Sequence, residues 1–264
     1  MEISEEKIKH IIYLYDIEKE SINKISKENG IDQRTIKSIL LKNNIPIRSN
    51  NFYKNKSVDS NFFEKIDTQE KAYILGFIYA DGCLTNGALQ IKVSIKDIEI
   101  LCKIKYILKS DHKITKAINH NGYGVDNEYC SLRIKDLNIE KCLLNLGVKP
   151  RKTKCLKFPN GLLSDFLIRH FIRGFFDGDG SIYSSNSSCI SFTGTEDMLL
   201  GIRNELQKIT STKANIYKYK NKDIYEYKIG GHNNINNIYN YLYKDSNIFL
   251  ERKKNKFEEI LKLF

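Results

Sequence analysis

Two segments, ILGFIYADG (Ile74 to Gly82) and IRGFFDGDG (Ile172 to Gly180), repeat one pattern roughly a hundred residues apart. Each is apolar, sets small residues four apart and ends in Asp-Gly. On a helix, Gly76 and Ala80 share a face, as do Gly174 and Gly178. With almost no side chain there, two such helices can pack backbone against backbone. Gly82 and Gly180 are the expected stops, taking the left-handed conformation that glycine adopts cheaply. Asp81 and Asp179 are then left at the negative end of a helix dipole, misplaced by roughly 0.3–1 kcal/mol, so a cation should stand nearby. Parallel packing would bring both carboxylates to one end, close enough to repel or to share divalent ions. Hydrated Mg²⁺, held by a few carboxylates and by substrate phosphate, matches such a site. Taken singly, either copy reads as a buried helix with an ordinary Asp-Gly turn; two copies in one register argue against that.

The sequence beyond the two segments repeats as well. Leu89, Ile91, Val93 and Ile95 alternate with Gln90, Lys92, Ser94 and Lys96, the period of a half-buried strand with a cationic outer face. Ile190 and Phe192 alternate with Ser191 and Thr193 in the second half. Asp97 and Thr195 each lie 16 residues past their aspartate and are expected to cap helices over 98–109 and 196–209. Strand pairs follow: 113–118 with 129–135 around Asn121-Gly122, and 214–219 with 224–229. Arg133 and Lys135, then Glu226 and Lys228, alternate with apolar neighbours on the later strands. A basic ribbon of this kind fits a DNA major groove, although any solvated sheet face could carry the same charges. NLGVKPRKTK (Asn145 to Lys154) and NIFLERKKNK (Asn247 to Lys256) close the halves, with Lys152 71 residues past Asp81 and Lys253 74 past Asp179.

From Asp67 to Phe264 the chain resembles the LAGLIDADG homing endonuclease family in its single-chain, two-repeat form. The resemblance implies an α+β fold of two pseudo-symmetric αββαββα repeats forming a DNA-binding saddle. It implies that the last acid of each motif, Asp81 and Asp179, binds two or more catalytic Mg²⁺ ions. The preceding acid survives as Asp177 but is Tyr79 in the first copy, a position the family does not need for metal. The resemblance also places a basic residue of each half near the reaction, here Lys152 and Lys253, with Arg151 and Arg252 as neighbours that hold the DNA backbone. It implies double-strand breaks with short 3′ overhangs, at half-sites read by two unlike sheets.

Residues 1–48 form a separate module. Ile8, Ile11, Ile12 and Tyr15 make the stripe of a surface helix over 5–15. A helix over 21–28, a left-handed Asn29-Gly30 turn and an Asp32-capped helix bearing Ile36, Ile39 and Leu40 resemble a helix-turn-helix. Its DNA-facing residues would be Gln33, Arg34, Lys37 and Ser38, with Thr35 on phosphate. Residues 49–66 read as linker, and Pro46 to Lys56, with Arg48 and Lys54, has the polarity to track along DNA. The repeats then occupy 67–160 and 161–264.

A net charge of +11 from 43 basic and 32 acidic residues favours a polyanionic partner. Mean hydropathy is −0.44, and no apolar run approaches the ~20 residues that span a bilayer, so a soluble chain without a membrane partner is expected. The charged first ten residues show no secretory signal, and six cysteines without C-x-x-C spacing suit an intracellular protein of cytoplasm, nucleoid or organelle. Five scattered histidines give no histidine-metal nuclease signature. No splicing-domain cysteine or terminal His-Asn pair is visible, which argues against an intein. The reading is a monomeric, site-specific double-strand DNA endonuclease. Its alternatives are a non-cleaving transcriptional regulator and a maturase binding group I intron RNA.

Overall fold

The computed structural model describes residues 3–18, 20–48, 57–120, 126–150, 152, 155–184, 188–211, 214–220 and 222–262. The chain divides into two compact units, Met1–Lys56 and Ser57–Phe264.

The first unit is helical: α1 (Glu5–Ile12), a π turn (Tyr13–Ile17), α2 (Ile22–Asn29) and α3 (Gln33–Lys42). The single helix expected over 5–15 therefore gives way to a π turn at Tyr13. Ser4 and Ser21 cap α1 and α2, and the Asp32 carboxylate accepts from the Arg34 N–H at 2.7 Å. Gly30, at φ +64°, makes the left-handed turn between α2 and α3. Ile11, Tyr15, Ile25, Ile36, Ile39 and Leu40 form the core. Gln33, Arg34, Lys37 and Ser38 are exposed on α3. Arg48 is not a free linker cation: it lies 3.7 Å over the Tyr15 ring and donates to the carbonyls of Tyr15 and Glu20. Lys54 and the other residues of 49–56 lie outside the described residues, whereas 57–66 belong to the second unit, where Phe62 and Phe63 are buried.

The second unit contains the duplication. Its first half runs α4 (Gln69–Asp81), β1 (Gly82–Thr85), β2 (Ala88–Ser94), α5 (Ile98–Ile107), β3 (Ile114–His120), β4 (Asp126–Ile134) and α6 (Leu137–Asn145). The second half runs α7 (Asp165–Asp179), β5 (Gly180–Ser184), β6 (Ser188–Gly194), α8 (Glu196–Leu206), β7 (Ile216–Lys218), β8 (Tyr225–Gly230), α9 (His232–Tyr243) and α10 (Glu251–Leu261). Each half folds an antiparallel four-stranded sheet, ordered β1-β2-β4-β3 and β5-β6-β8-β7. Helices α5 and α6 pack on the first sheet, and α8 and α9 on the second. Leu89, Ile91 and Val93 are buried while Lys92 and Ser94 are exposed, so the alternation in the sequence is the pleat of β2. Lys96 departs from it, lying in a 3₁₀ turn (Ile95–Asp97) rather than on the strand. Lys135 is exposed just beyond β4. The Asn121-Gly122 turn lies outside the described residues.

Helices α4 and α7 meet along their glycines. A Cβ on Gly76 would overlap the Phe171 carbonyl and lie 3.0 Å from the Phe175 nitrogen. One on Gly174 would overlap the Tyr73 carbonyl and lie 2.8 Å from the Phe77 nitrogen. Gly82 and Gly180 are not left-handed, contrary to expectation: their φ values are −81° and −84°, and each begins a strand. They are glycines for want of room, since a Cβ would press on Ile78 or Phe176 one turn earlier.

Candidate active site

The shared end of α4 and α7 gathers two carboxylates and two lysines. A Cβ built on Gly178 would overlap that of Ala80 and lie 3.3 Å from Asp81 Oδ2, so the bare glycine leaves room for the neighbouring carboxylate. Burial, the charge of Asp179 and incomplete compensation by Lys253 and Lys152 push the Asp81 carboxyl up to about 7. Desolvation also raises Asp179, opposed first by Lys152 and then by Lys253. On one side Asp81 faces a cavity of about 390 Å³, lined also by Lys92, Asp97, Tyr129 and Arg252. Asp179 lines another, with Lys152 and Thr193.

Both lysines are buried and cap the motif helices. The Lys152 ammonium donates to the carbonyls of Tyr79 and Ala80 at the end of α4. That of Lys253 donates to Phe176 O at 2.6 Å and Gly178 O at 3.1 Å at the end of α7. They offset the negative helix ends. Burial lowers both ammonium groups, Lys253 to about 8. Each lysine caps the helix of its own half, yet of the two motif aspartates it feels the opposite one more strongly: Lys152 feels Asp179, and Lys253 feels Asp81.

The segments carrying these lysines are held by residues whose roles the sequence did not disclose. Asp177, wholly buried, accepts from the Tyr73 hydroxyl at 2.8 Å, the Tyr243 hydroxyl at 2.6 Å and the Leu250 N–H at 2.8 Å. It thereby fixes the start of α10, three residues before Lys253. Tyr79, its counterpart in the repeat, donates to Leu146 O ahead of Lys152. Arg173 is buried beside them, donating to Ile248 O at 3.0 Å and Leu242 O at 2.9 Å. Asp97 is not a side-chain helix cap: its carboxylate takes a bidentate pair from Arg252 at 2.9 and 2.8 Å. Arg252 thus pairs with Asp97 while its side chain stays 53% exposed at the rim of the cavity; Arg151 lies outside the described residues. Thr195 does cap α8, and its hydroxyl also donates to Leu156 O at 2.5 Å.

Residues 166–243 match the sequence profile of the LAGLIDADG-like domain. That stretch is similar to a LAGLIDADG-like domain. It begins within α7 and runs through both strand pairs of the second half. The fold of the I-SmaMI LAGLIDADG homing endonuclease bound to cleaved DNA superposes with a TM-score of 0.51 at 14% identity, covering 75% of this chain and 89% of that one. The same endonuclease on uncleavable DNA with a TTGT central four gives 0.50 at 15% identity, over 76% and 90%. Among curated proteins, DNA-directed RNA polymerase subunit Rpo1C of Methanocaldococcus jannaschii is 27% identical over 168 residues, 63% of this chain. The match spans only 18% of that subunit.

Among the described residues no three His, Cys, Asp or Glu side chains converge as a ready-made metal site. The two aspartates at the ends of α4 and α7 nonetheless suit a hard cation, since Mg²⁺ takes one or two carboxylates and completes its shell with water and phosphate. Among the described residues no helix is long and apolar enough to cross a membrane.

The raised carboxyl of Asp81 has a thermodynamic signature. Its folded value, about 7, exceeds the ordinary 3.8, so the folded chain holds the proton more tightly than the unfolded one. Its contribution to stability is therefore greatest below pH 4 and is lost as pH rises to about 7. The gap corresponds to ~4 kcal/mol at most, before screening at this half-buried site. In EDTA, Asp81→Asn is expected to raise the melting temperature at pH 8 and change it little at pH 4. Thermal melts at the two pH values check this; equal shifts would contradict the raised carboxyl.

Proposed function

We propose that the chain is a site-specific endonuclease that breaks both strands of a DNA duplex, with Asp81 and Asp179 holding two or more Mg²⁺ ions. The observation that carries this reading is the meeting of two motif carboxylates at adjacent helix ends, each within the field of a buried lysine. When bound, the ions would acidify water and neutralise charge on the departing oxygen. Lys152 and Lys253 spend two of their three N–H donors on helix carbonyls, and the third remains to orient water or draw charge from a phosphate. Burial keeps these ammonium groups in a poorly screened environment, where a fixed charge acts most strongly.

The outer sheet faces offer Gln90, Lys92, Arg133 and Lys228 to base edges and phosphates, with Lys96 and Lys135 at the margins. In the first unit, α2 and α3 act as a helix-turn-helix whose Gln33, Arg34, Lys37 and Ser38 extend the footprint. We assign residues 1–48 to that module, 49–56 to a linker, and 57–160 and 161–264 to the repeats. A monomer acting inside the cell, leaving short 3′ overhangs in intron homing, completes the reading. The DNA-bound endonucleases that share the fold support it.

The deciding experiment incubates the full chain with a partly randomised duplex library in Mg²⁺ and sequences new ends, with a parallel pull-down in Ca²⁺. Paired breaks with short 3′ overhangs are expected. Enrichment in Ca²⁺ without breaks in Mg²⁺ would replace the nuclease by a regulator. Neither signal would turn the search to RNA.

A further inference from the structure

The duplication lets the two sheets be compared position by position. Gly82 pairs with Ile91 and Gly180 with Phe192, each glycine directly following its motif aspartate. Counting from these pairs, Gln90 corresponds to Ser191 and Lys92 to Thr193. Ile91 pairs with Leu132 and Phe192 with Tyr227, so Ser131 corresponds to Glu226 and Arg133 to Lys228. The outer faces thus differ in charge at two of these four positions. The first carries Lys92 and Arg133 with no acid among the four. The second carries Lys228 and Glu226.

These charges are also partnered differently. Lys228 Nζ lies 3.2 Å from Glu226 Oε2, on a carboxylate whose side chain is 11% exposed while the lysine is 48% exposed. Among the described residues no carboxylate stands within salt-bridge distance of Lys92 or Arg133. Both are exposed, and Lys92 sits 5.3 Å over the Tyr129 ring, which leaves its charge uncancelled. A cation already paired with a carboxylate gains little from a phosphate, because it must first give up its partner. An unpaired one releases a counterion from the duplex.

We infer that the two half-sites are held by unequal means: the first sheet supplies the electrostatic grip on the duplex, and Glu226 cancels that grip in the second. This rests on the reading of the sheets as a DNA-binding surface. The second half-site is then held by hydrogen bonding and shape, with Glu226 restraining Lys228 until a suitable base edge or phosphate displaces it.

The test is the salt dependence of binding of the full chain to a 30-base-pair duplex of random sequence in Ca²⁺. Each phosphate neutralised contributes a slope of ~0.9 in log K against log salt, or ~5-fold in affinity near 0.15 M. Lys92→Gln with Arg133→Gln is expected to flatten the slope by ~1.8. Lys228→Gln removes a charge already held by Glu226 and should flatten the slope by well under ~0.9, less than either first-sheet charge costs. Glu226→Gln, which keeps the side-chain shape, should steepen the slope by ~0.9 and tighten binding ~5-fold by freeing Lys228. Circular dichroism establishes that each variant is folded; should Glu226→Gln not be, the contrast between the first-sheet pair and Lys228→Gln decides alone. Equal losses per charge removed from the two sheets, or a folded Glu226→Gln indistinguishable from wild type, overturn the asymmetry while DNA binding stands. A wild-type chain that retains no duplex overturns the reading of the surface, and the asymmetry with it.

Discussion

Asp179→Asn is expected to abolish double-strand cleavage, by on the order of 10³-fold or more, while duplex affinity in Ca²⁺ changes little. Asparagine keeps the size of the side chain and one acceptor oxygen but removes the charge that makes the pair of helix ends attractive to a divalent cation. Nothing in the packing of α7 depends on that charge, since the helix is held by Gly174 against Tyr73 and by the Asp177 and Arg173 hydrogen bonds. The loss should therefore appear in turnover rather than in folding. Removing one negative charge also relieves Asp81, whose carboxyl is raised partly by Asp179, so the variant's Asp81 should titrate lower than in wild type. Gel assays of cleavage beside filter binding separate the two effects. Undiminished cutting by the variant would remove Asp179 from the metal site.

Gly174→Ala is expected to destabilise the second unit by ~3 kcal/mol or more, a drop of ~6–12 °C in melting temperature. The added methyl would meet backbone atoms of α4, with Phe77 N only 2.8 Å away, and backbone cannot rotate aside as a side chain can. The helices would have to part, and their C-terminal carboxylates with them. Gly230→Ala serves as the control, because a Cβ there finds nothing nearer than Ser188 O at 3.6 Å. A melt of Gly174→Ala matching that control would show that the helix contact is looser than described.

How much of this was legible follows from what each residue type discloses locally. Small residues four apart on an apolar helix disclose a close face, so the meeting of α4 and α7 could be read directly. The alternation in β2 likewise disclosed which side is buried. The motif glycines were read correctly as stops but for the wrong reason: an Asp-Gly pair suggests a left-handed turn, whereas the crowding by Ile78 and Phe176 exists only once the helix is folded. Asp97 precedes a helix and so looks like its cap; its true partner, Arg252, lies 155 residues away in sequence. Asp177 was visible as a motif acid, but its partners and those of Arg173 were not, because a buried arginine and a buried aspartate look like surface charges until the carbonyls and hydroxyls that satisfy them are brought near. Arg48 misled in the same way, since its hold on Tyr15 cannot be seen from a run of polar residues.

The stretches that bear the two lysines are fastened across the duplication. Past Lys152, the Phe158 N–H donates to Asp197 at 2.8 Å, and Leu156 O accepts from Thr195, both at the head of α8. Around Lys253, Arg252 reaches Asp97, and the Glu251 N–H donates to Glu99 at 3.2 Å, at the head of α5. Each half therefore lends fastenings to the other's end of the site. During synthesis the segment after Lys152 gains these cross-half fastenings only after α8 has emerged, and those around Lys253 close only when α10 has. A chain halted before α7 would thus carry Asp81 and Lys152 and still lack the second aspartate, the second lysine and the cross-half fastenings that complete the paired centre.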